Sequence, residues 1–304
     1  NSMITTGMEA FKNFGIFFAI IMGLAALSVG IAGFLYKNSA RRGLEVGNKN
    51  NGKAKDNSVQ SLKSALLKRD LKTCLGETSS AINYLIGFVL APIIVIMLSF
   101  IYSNNPEMDS RYVMEIVSVF IVFMFGGGMN YFAIVGISRE GRQMDVLKML
   151  PVSSKTIINQ KLMLSAIYTL VMAAILMASM FIAKLNFVLI MMLTLSILFA
   201  GNATNIFALH YDVKAPNFVW NNYKELFKNN YKSLNSMLLC LPIMIIGVIS
   251  IICVDIVFAG QIPNTNLSCF VKMLPVLIAS IVYLVVAVVY NYPKILETYE
   301  KIEI

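Results

Sequence analysis

The sequence predicts an all-α fold, a polytopic transmembrane helix bundle of about seven spans. Three observations predict it. Hydrophobic residues fill 58% of the 304 positions and charged residues only 13%, against about 25% charged in ordinary soluble domains. Several apolar runs exceed the roughly 18–20 residues that cross a bilayer as a helix. They lack the alternating segments of about 10 residues that a membrane β-barrel requires. The basic residues, 25 in all, fall mostly in connections that share one side of the membrane.

The elements follow in order. Residues 1–36 comprise an outer N-terminal segment and a first span, Gly15–Tyr36. That run has no basic leader and is longer than the roughly 7–15 residues of a signal-peptide core, so it is expected to stay as a span. Residues 37–58 are rich in Asn, Gly and Lys and predict a flexible cytoplasmic linker. In 59–80, Val59, Leu62, Leu66, Leu67, Leu71 and Cys74 recur at helical spacing among Lys63, Lys68, Arg69 and Lys72. This pattern predicts an amphipathic helix in the membrane interface, its cations toward anionic lipid head groups. The alternative is a helix packed on another segment of protein. Residues 81–292 hold six further spans: Ala81–Tyr102, Val113–Ile137, Leu162–Ala183, Phe187–Phe207, Met237–Phe258 and Val271–Tyr290. The turn Lys184–Asn186 is short enough to make an antiparallel hairpin of its two flanking spans. Residues 293–304 form a cytoplasmic tail.

Orientation follows from Lys and Arg. With the loop Lys37–Ser80 inside, only Lys12, Arg111, Lys184 and Lys272 of the 25 basic residues lie outside. The N-terminus is then outside and the C-terminus inside. Such an arrangement suggests that the first span is the last helix of a missing upstream half, which would bring the chain to the outer face. The net charge of +9 is thereby a matter of topology, with anionic lipid rather than nucleic acid as its partner.

Little in the chain carries reaction chemistry. Cys74, Cys240, Cys253 and Cys269 have neither metal-ligand nor disulfide-framework spacing. His210, the one histidine, reads as a residue of a polar loop. "GNKNNGKA", Gly47–Ala54, begins like a phosphate loop but ends in Ala54 where Ser or Thr would hold magnesium. It also sits in a linker rather than between strand and helix. Glu115, Asp255 and Lys272 lie near the outer ends of their spans, where solvation or snorkelling is expected. The other reading has them lining an outer vestibule. "FGGGMN", Phe125–Asn130, predicts close helix packing or a kink. No cofactor, metal or catalytic set is expected on this chain.

The apolar pattern stops once for "SREGRQMDVLKMLPVSS", Ser138–Ser154. Arg139, Glu140, Arg142, Gln143 and Asp145 give it a charged start. Met144, Leu147 and Leu150, with Val146, then form an apolar stripe at helical spacing. Pro151 ends that helix, and Ser153 or Ser154 caps the next, which starts near Thr156. By itself the stretch is a connector or a docking helix.

This stretch, continued as "KTIINQKL", resembles the cytoplasmic segment of bacterial ABC-2-type exporter permeases. That segment has a Ser/Arg-Glu-Gly start, Leu-Lys-x-Leu-Pro-Val-Ser, and a later Lys-Leu. "YDVKAPNFVWNNYKELFKNN", Tyr211–Asn230, is similar to a second cytoplasmic segment of the family, through Asp212, Pro216, Trp220 and Asn221. "LLKRDLK", Leu66–Lys72, resembles the Lys-Arg-Glu-Leu-Lys element that opens a permease half, with Asp70 in place of the usual Glu. The resemblance spans about Val59 to Tyr290. It departs from the family in the isolated first span and the absent upstream half.

The resemblance implies a half-unit of one interfacial helix and six spans in the bacterial cytoplasmic membrane. It implies a coupling helix of Arg139, Glu140, Gly141, Arg142, Asp145, Leu147, Leu150 and Pro151. Glu140 and Arg142 would receive the motion of a separate cytoplasmic ABC ATPase, while Met144, Leu147 and Leu150 fix the helix to the subunit. A second contact would come from Asp212, Pro216, Trp220 and Asn221. ATP and magnesium would reside on the ATPase, and a second permease half or homologous subunit would complete the path. The competing expectation is a non-transporting scaffold or regulator that binds a cytoplasmic partner through its basic loops.

Overall fold

The computed structural model describes residues 62–76, 78–103, 110–227, 231–257 and 265–302. The first span, the linker with its phosphate-loop-like stretch, Val59 and the Lys63 side chain lie outside the described residues. Within them every regular element is helical. Among the described residues, six helices are long and apolar enough to cross a membrane: Ala81–Tyr102, Val113–Met149, Ser154–Ile182, Phe187–Lys214, Tyr231–Val257 and Thr265–Glu300. The chain is therefore built as a multi-pass membrane protein.

Helix α1 (Leu62–Gly76) leads into α2 (Thr78–Ser103), the first of the six. Its buried face is Leu66, Asp70 and Cys74, four residues apart and so one stripe, and it packs on α2 and on α6 (Ser154–Ile182). Neighbouring helices thus cover this stripe. Lys68 and Lys72 lie on its exposed side.

The third expected span is broken. Helix α3 (Ser110–Phe123) widens into a π-helical turn at Met124–Gly128, and Met129 and Asn130 leave helical geometry before the short α4 (Tyr131–Ile134). The glycines explain both the widening and the contact. A Cβ on Gly126 would come 2.5 Å from Ile197, and one on Gly128 3.2 Å from the Met237 backbone. Packing and kink, weighed as alternatives, are both realised.

Ser153 caps α6, accepting the Thr156 N–H. The turn after α6 is closed by Lys184 at a positive φ of 57°, and Asn186 caps α7 (Phe187–Lys214) by accepting the Val188 N–H at 2.8 Å. The two helices form the expected hairpin. Helix α7 continues well past Phe207, so His210 is a helical residue and not a loop residue as its polar neighbours suggested. Loop 215–222 and the short α8 (Tyr223–Phe227) lead to α9 (Tyr231–Val257), then α10 (Thr265–Val286). Pro92, Pro242 and Pro275 stand inside α2, α9 and α10, where neighbouring helices make such breaks tolerable in membrane spans. A π turn, Ala287–Asn291, joins α10 to a terminal helix α11 (Tyr292–Glu300), whose Ile295 and Tyr299 are buried. The expected tail is thus mostly a packed helix.

At the end of the bundle bearing the α6–α7 turn, Lys272 bonds Glu115 at 2.8 Å and Asp255 at 2.7 Å. Glu115 and Lys272 are largely buried there, with side chains 12% and 8% exposed. They form an interhelical tie between α3, α9 and α10, not the solvated ends expected of them.

Candidate functional site

The stretch Ser138–Ser154 lies at the other end and is not the single amphipathic helix its periodicity predicts. Ser138–Gln143 is a tight 3₁₀ segment interrupted at Gly141, whose φ of 52° and ψ of −132° no β-carbon tolerates easily. Only Met144–Met149 is α-helical (α5). Leu150 is already extended, at φ −68° and ψ 142°, because the following Pro151 excludes the α region. Met144 and Leu147 anchor α5 in an apolar cluster with Ile158, Leu209 and Tyr299. Leu150 and Val146 do not join that stripe. Both are exposed, with Met149 between them 83% exposed. Arg142 and Asp145 also face outward.

Arg139 and Glu140 correct the expectation most. Both are buried, drawn into a five-member ion network with α1 and α6. Lys161 bonds Asp70 at 2.8 Å and also reaches Glu140. Arg69 bonds Asp70 at 2.8 Å and Glu140 at 3.1 Å. Arg139 sits 3.6 Å from Asp70 and donates to the Cys74 sulfur at 2.8 Å. Burial alone would raise the Asp70 pKa, but Lys161, then Arg139 and Arg69, more than offset it and hold the carboxyl below its usual range. At Cys74 burial prevails over Arg139 and Lys161, and the thiol is pushed up and stays protonated. Glu140 therefore serves as an internal tie, held by Lys161 and Arg69.

A second buried knot adjoins the first. The Asp212 carboxylate accepts the Ile137 N–H at 2.6 Å, the Ser138 N–H at 2.9 Å and the Lys232 ammonium at 2.6 Å, and it binds the Ser138 hydroxyl. Ser138 Oγ in turn accepts from the Asn217 N–H at 2.9 Å and from Lys232 at 3.0 Å. The Trp220 indole N–H donates to the Ser138 carbonyl at 2.9 Å. Its ring covers Gly141 so closely that a Cβ there would lie 2.9 Å from Cζ2. Pro216 borders this loop half-buried, and Asn221 is exposed. The terminal helix completes the enclosure. Lys148 donates to the Ile302 carbonyl and its ammonium stands 5.8 Å from the Tyr299 ring centroid.

Ser138–Met149 is thus held by α1, α6, α7, α9 and α11 together. Deeper in the bundle, at the break in the third span, Asn130 donates to Asn205 at 2.8 Å and to the Ser165 carbonyl at 2.9 Å, and Asn205 donates to Thr169 at 3.0 Å. All four are buried. These bonds pin the break to α6 and α7.

The sequence reading missed Lys161 and Lys232 as partners and gave Asp70 no role of its own. Each carries the same signal: an ionisable residue on the apolar stripe of its helix, where an unpaired charge would be too costly to bury. Lys68 and Lys72 take no part in the network. No family model, curated protein or solved structure matches this chain.

Proposed function

We propose that the chain is the membrane-spanning subunit of an ABC-2-type exporter, powered by ATP hydrolysis on a separate ATPase docked at the Ser138–Pro151 end. One observation carries this reading. The three stretches that resemble the family lie far apart in the sequence, yet Asp70, Arg139, Glu140, Asp212 and Trp220 from them meet around one tight turn. The docking surface is narrower than the sequence implied. Arg142, Asp145, Val146, Met149 and Leu150 face the ATPase, while Arg139, Glu140 and Leu147 face the bundle.

The mechanism follows from rigidity. A push on α5 is not absorbed locally, because its base is tied by buried ion pairs and backbone caps to α1, α6, α7 and α9. The ATPase therefore moves this end as a body, and the bundle shifts between two packings. The π turn and the break at Met129–Asn130 are where the third span yields, as such breaks often do at functional positions. In the proposed orientation this end is cytoplasmic, and a second permease half supplies the other wall of the path.

The test is co-purification of the chain with any ABC ATPase encoded beside it, followed by ATPase rates in reconstituted vesicles. Met149→Asp is expected to fold as wild type but to lose the association. Retained association and coupled hydrolysis in that variant, or an ATPase that never associates with the wild type, would sink the proposal.

A further inference from the structure

Beside the ion network opens a cleft of about 230 Å³, lined by Thr73, Arg139, Glu140, Arg142, Trp220 and Tyr223 among others. Its charge is unbalanced. The network combines three cations, Arg69, Arg139 and Lys161, with two carboxylates, Asp70 and Glu140. Arg69 is 38% exposed and keeps part of its charge in solvent. Lys161 is well served, with a carboxylate on each side. Arg139 is not. Its guanidinium is 1% exposed, its hydrogen bond goes to a thiol, and its Nη2 makes no hydrogen bond, standing 3.6 Å from an Asp70 carboxylate already bonded by Lys161 and Arg69. A thiol is a weak acceptor, and burial keeps Cys74 from becoming a thiolate. A buried cation whose one nearby carboxylate is shared with two other cations is only partly compensated.

The rim repeats the sign. Arg142 is exposed, and Glu140, the one carboxylate lining the cleft, already has its oxygens on Lys161 and Arg69. Trp220 and Tyr223, their ring centroids 4.7 Å apart, form an aromatic wall. We infer that this cleft binds a phosphate-bearing anion, held between Arg139 at its floor and Arg142 at its rim. Guanidinium pairs suit the planar, multidentate recognition of phosphate oxygens. Thr73 belongs to α1 and the aromatic wall to the 215–222 loop and α8, so a bound anion would also tie α1 to that loop. The inference does not depend on the exporter reading.

The source of the phosphate is a lipid head group or a free ion, and one experiment separates them. The purified full chain is placed in phosphatidylcholine nanodiscs, with and without phosphatidic acid, and in phosphatidylcholine alone with inorganic phosphate or chloride at equal ionic strength. Thermal unfolding is followed in wild type, Arg142→Glu, Asn221→Asp and the Lys68→Glu/Lys72→Glu pair. All four substituted side chains are exposed, so each variant is expected to fold, and Asn221 lines the cleft beside Arg142 and Trp220.

Stabilisation of wild type by phosphatidic acid alone identifies a head group; stabilisation by inorganic phosphate identifies a free anion. In either case the apparent affinity is expected to fall at least tenfold in Arg142→Glu and Asn221→Asp and to change less than threefold in the Lys68/Lys72 pair. The inference is overturned if neither anion outperforms its control in wild type, an outcome that leaves a protein carboxylate as the counter-charge. Equal losses in the Lys68/Lys72 pair and in Arg142→Glu overturn it as well, since general surface charge would then suffice.

Discussion

Asp212→Asn isolates the knot that fixes the Ser138 turn. Asp212 is fully buried, and its partner Lys232 has a side chain only 4% exposed. Removing the carboxylate of such a buried pair costs about 3–5 kcal/mol. The asparagine oxygen still accepts one of the Ile137 and Ser138 N–H bonds, so the loss falls mainly on Lys232. The double variant Asp212→Asn/Lys232→Met removes the ammonium as well. It is expected to recover at least about 2 kcal/mol of that loss, a coupling within the range for residues in direct contact. The assay is unfolding of the purified protein in mixed micelles by titration with dodecyl sulfate. Trp220, the chain's single tryptophan, reports it by fluorescence from within the knot. An Asp212→Asn loss under about 1 kcal/mol, or a double variant no better than the single, would refute the account of this turn.

Other expectations follow the same geometry. Gly141→Ala forces a β-carbon into Trp220 at a positive φ, and circular-dichroism melts should show marked destabilisation with a shifted Trp220 emission. Glu140→Lys replaces a ligand of Lys161 and Arg69 with a fourth cation; it should fail to accumulate as folded protein, measured by fluorescence-detected size exclusion, whatever the ATPase does. Asn130→Leu removes the donor to both Asn205 and Ser165 and should lower the melting temperature by leaving buried acceptors unpaired. The Asp70 pKa is lowered from 3.8, so its contribution is present above that value and lost as pH falls through the folded pKa. Melting temperature should therefore drop more steeply below about pH 4 in wild type than in Asp70→Asn.

The bundle was legible because long apolar runs are a strong signal. Ala81–Tyr102 matches its predicted limits, and the α6–α7 hairpin follows from a turn too short for anything else. Helix ends were less legible. Residues such as Ala208–Lys214 are polar enough to read as a loop, yet they extend α7. The site was less legible still. Arg139 and Glu140 look like a solvated charged start until Asp70 and Lys161, 69 and 22 positions from Arg139, are brought beside them. Gly141 gave no sign of its conformation, since a glycine's φ is set by what surrounds it, here the Trp220 ring. Leu150 fitted the helical period and lost its place in the helix to Pro151.

The most direct measurement is thiol accessibility along α5. In a Cys253→Ser background, which removes the exposed native cysteine, Met149→Cys and Leu147→Cys would be treated with a membrane-impermeant maleimide in spheroplasts and in inverted vesicles. The account predicts labelling of the Met149 site only in inverted vesicles, protection there by the co-expressed ATPase, and no labelling of the Leu147 site from either side. Labelling at both sites, or at Met149 from the outer face, would contradict it.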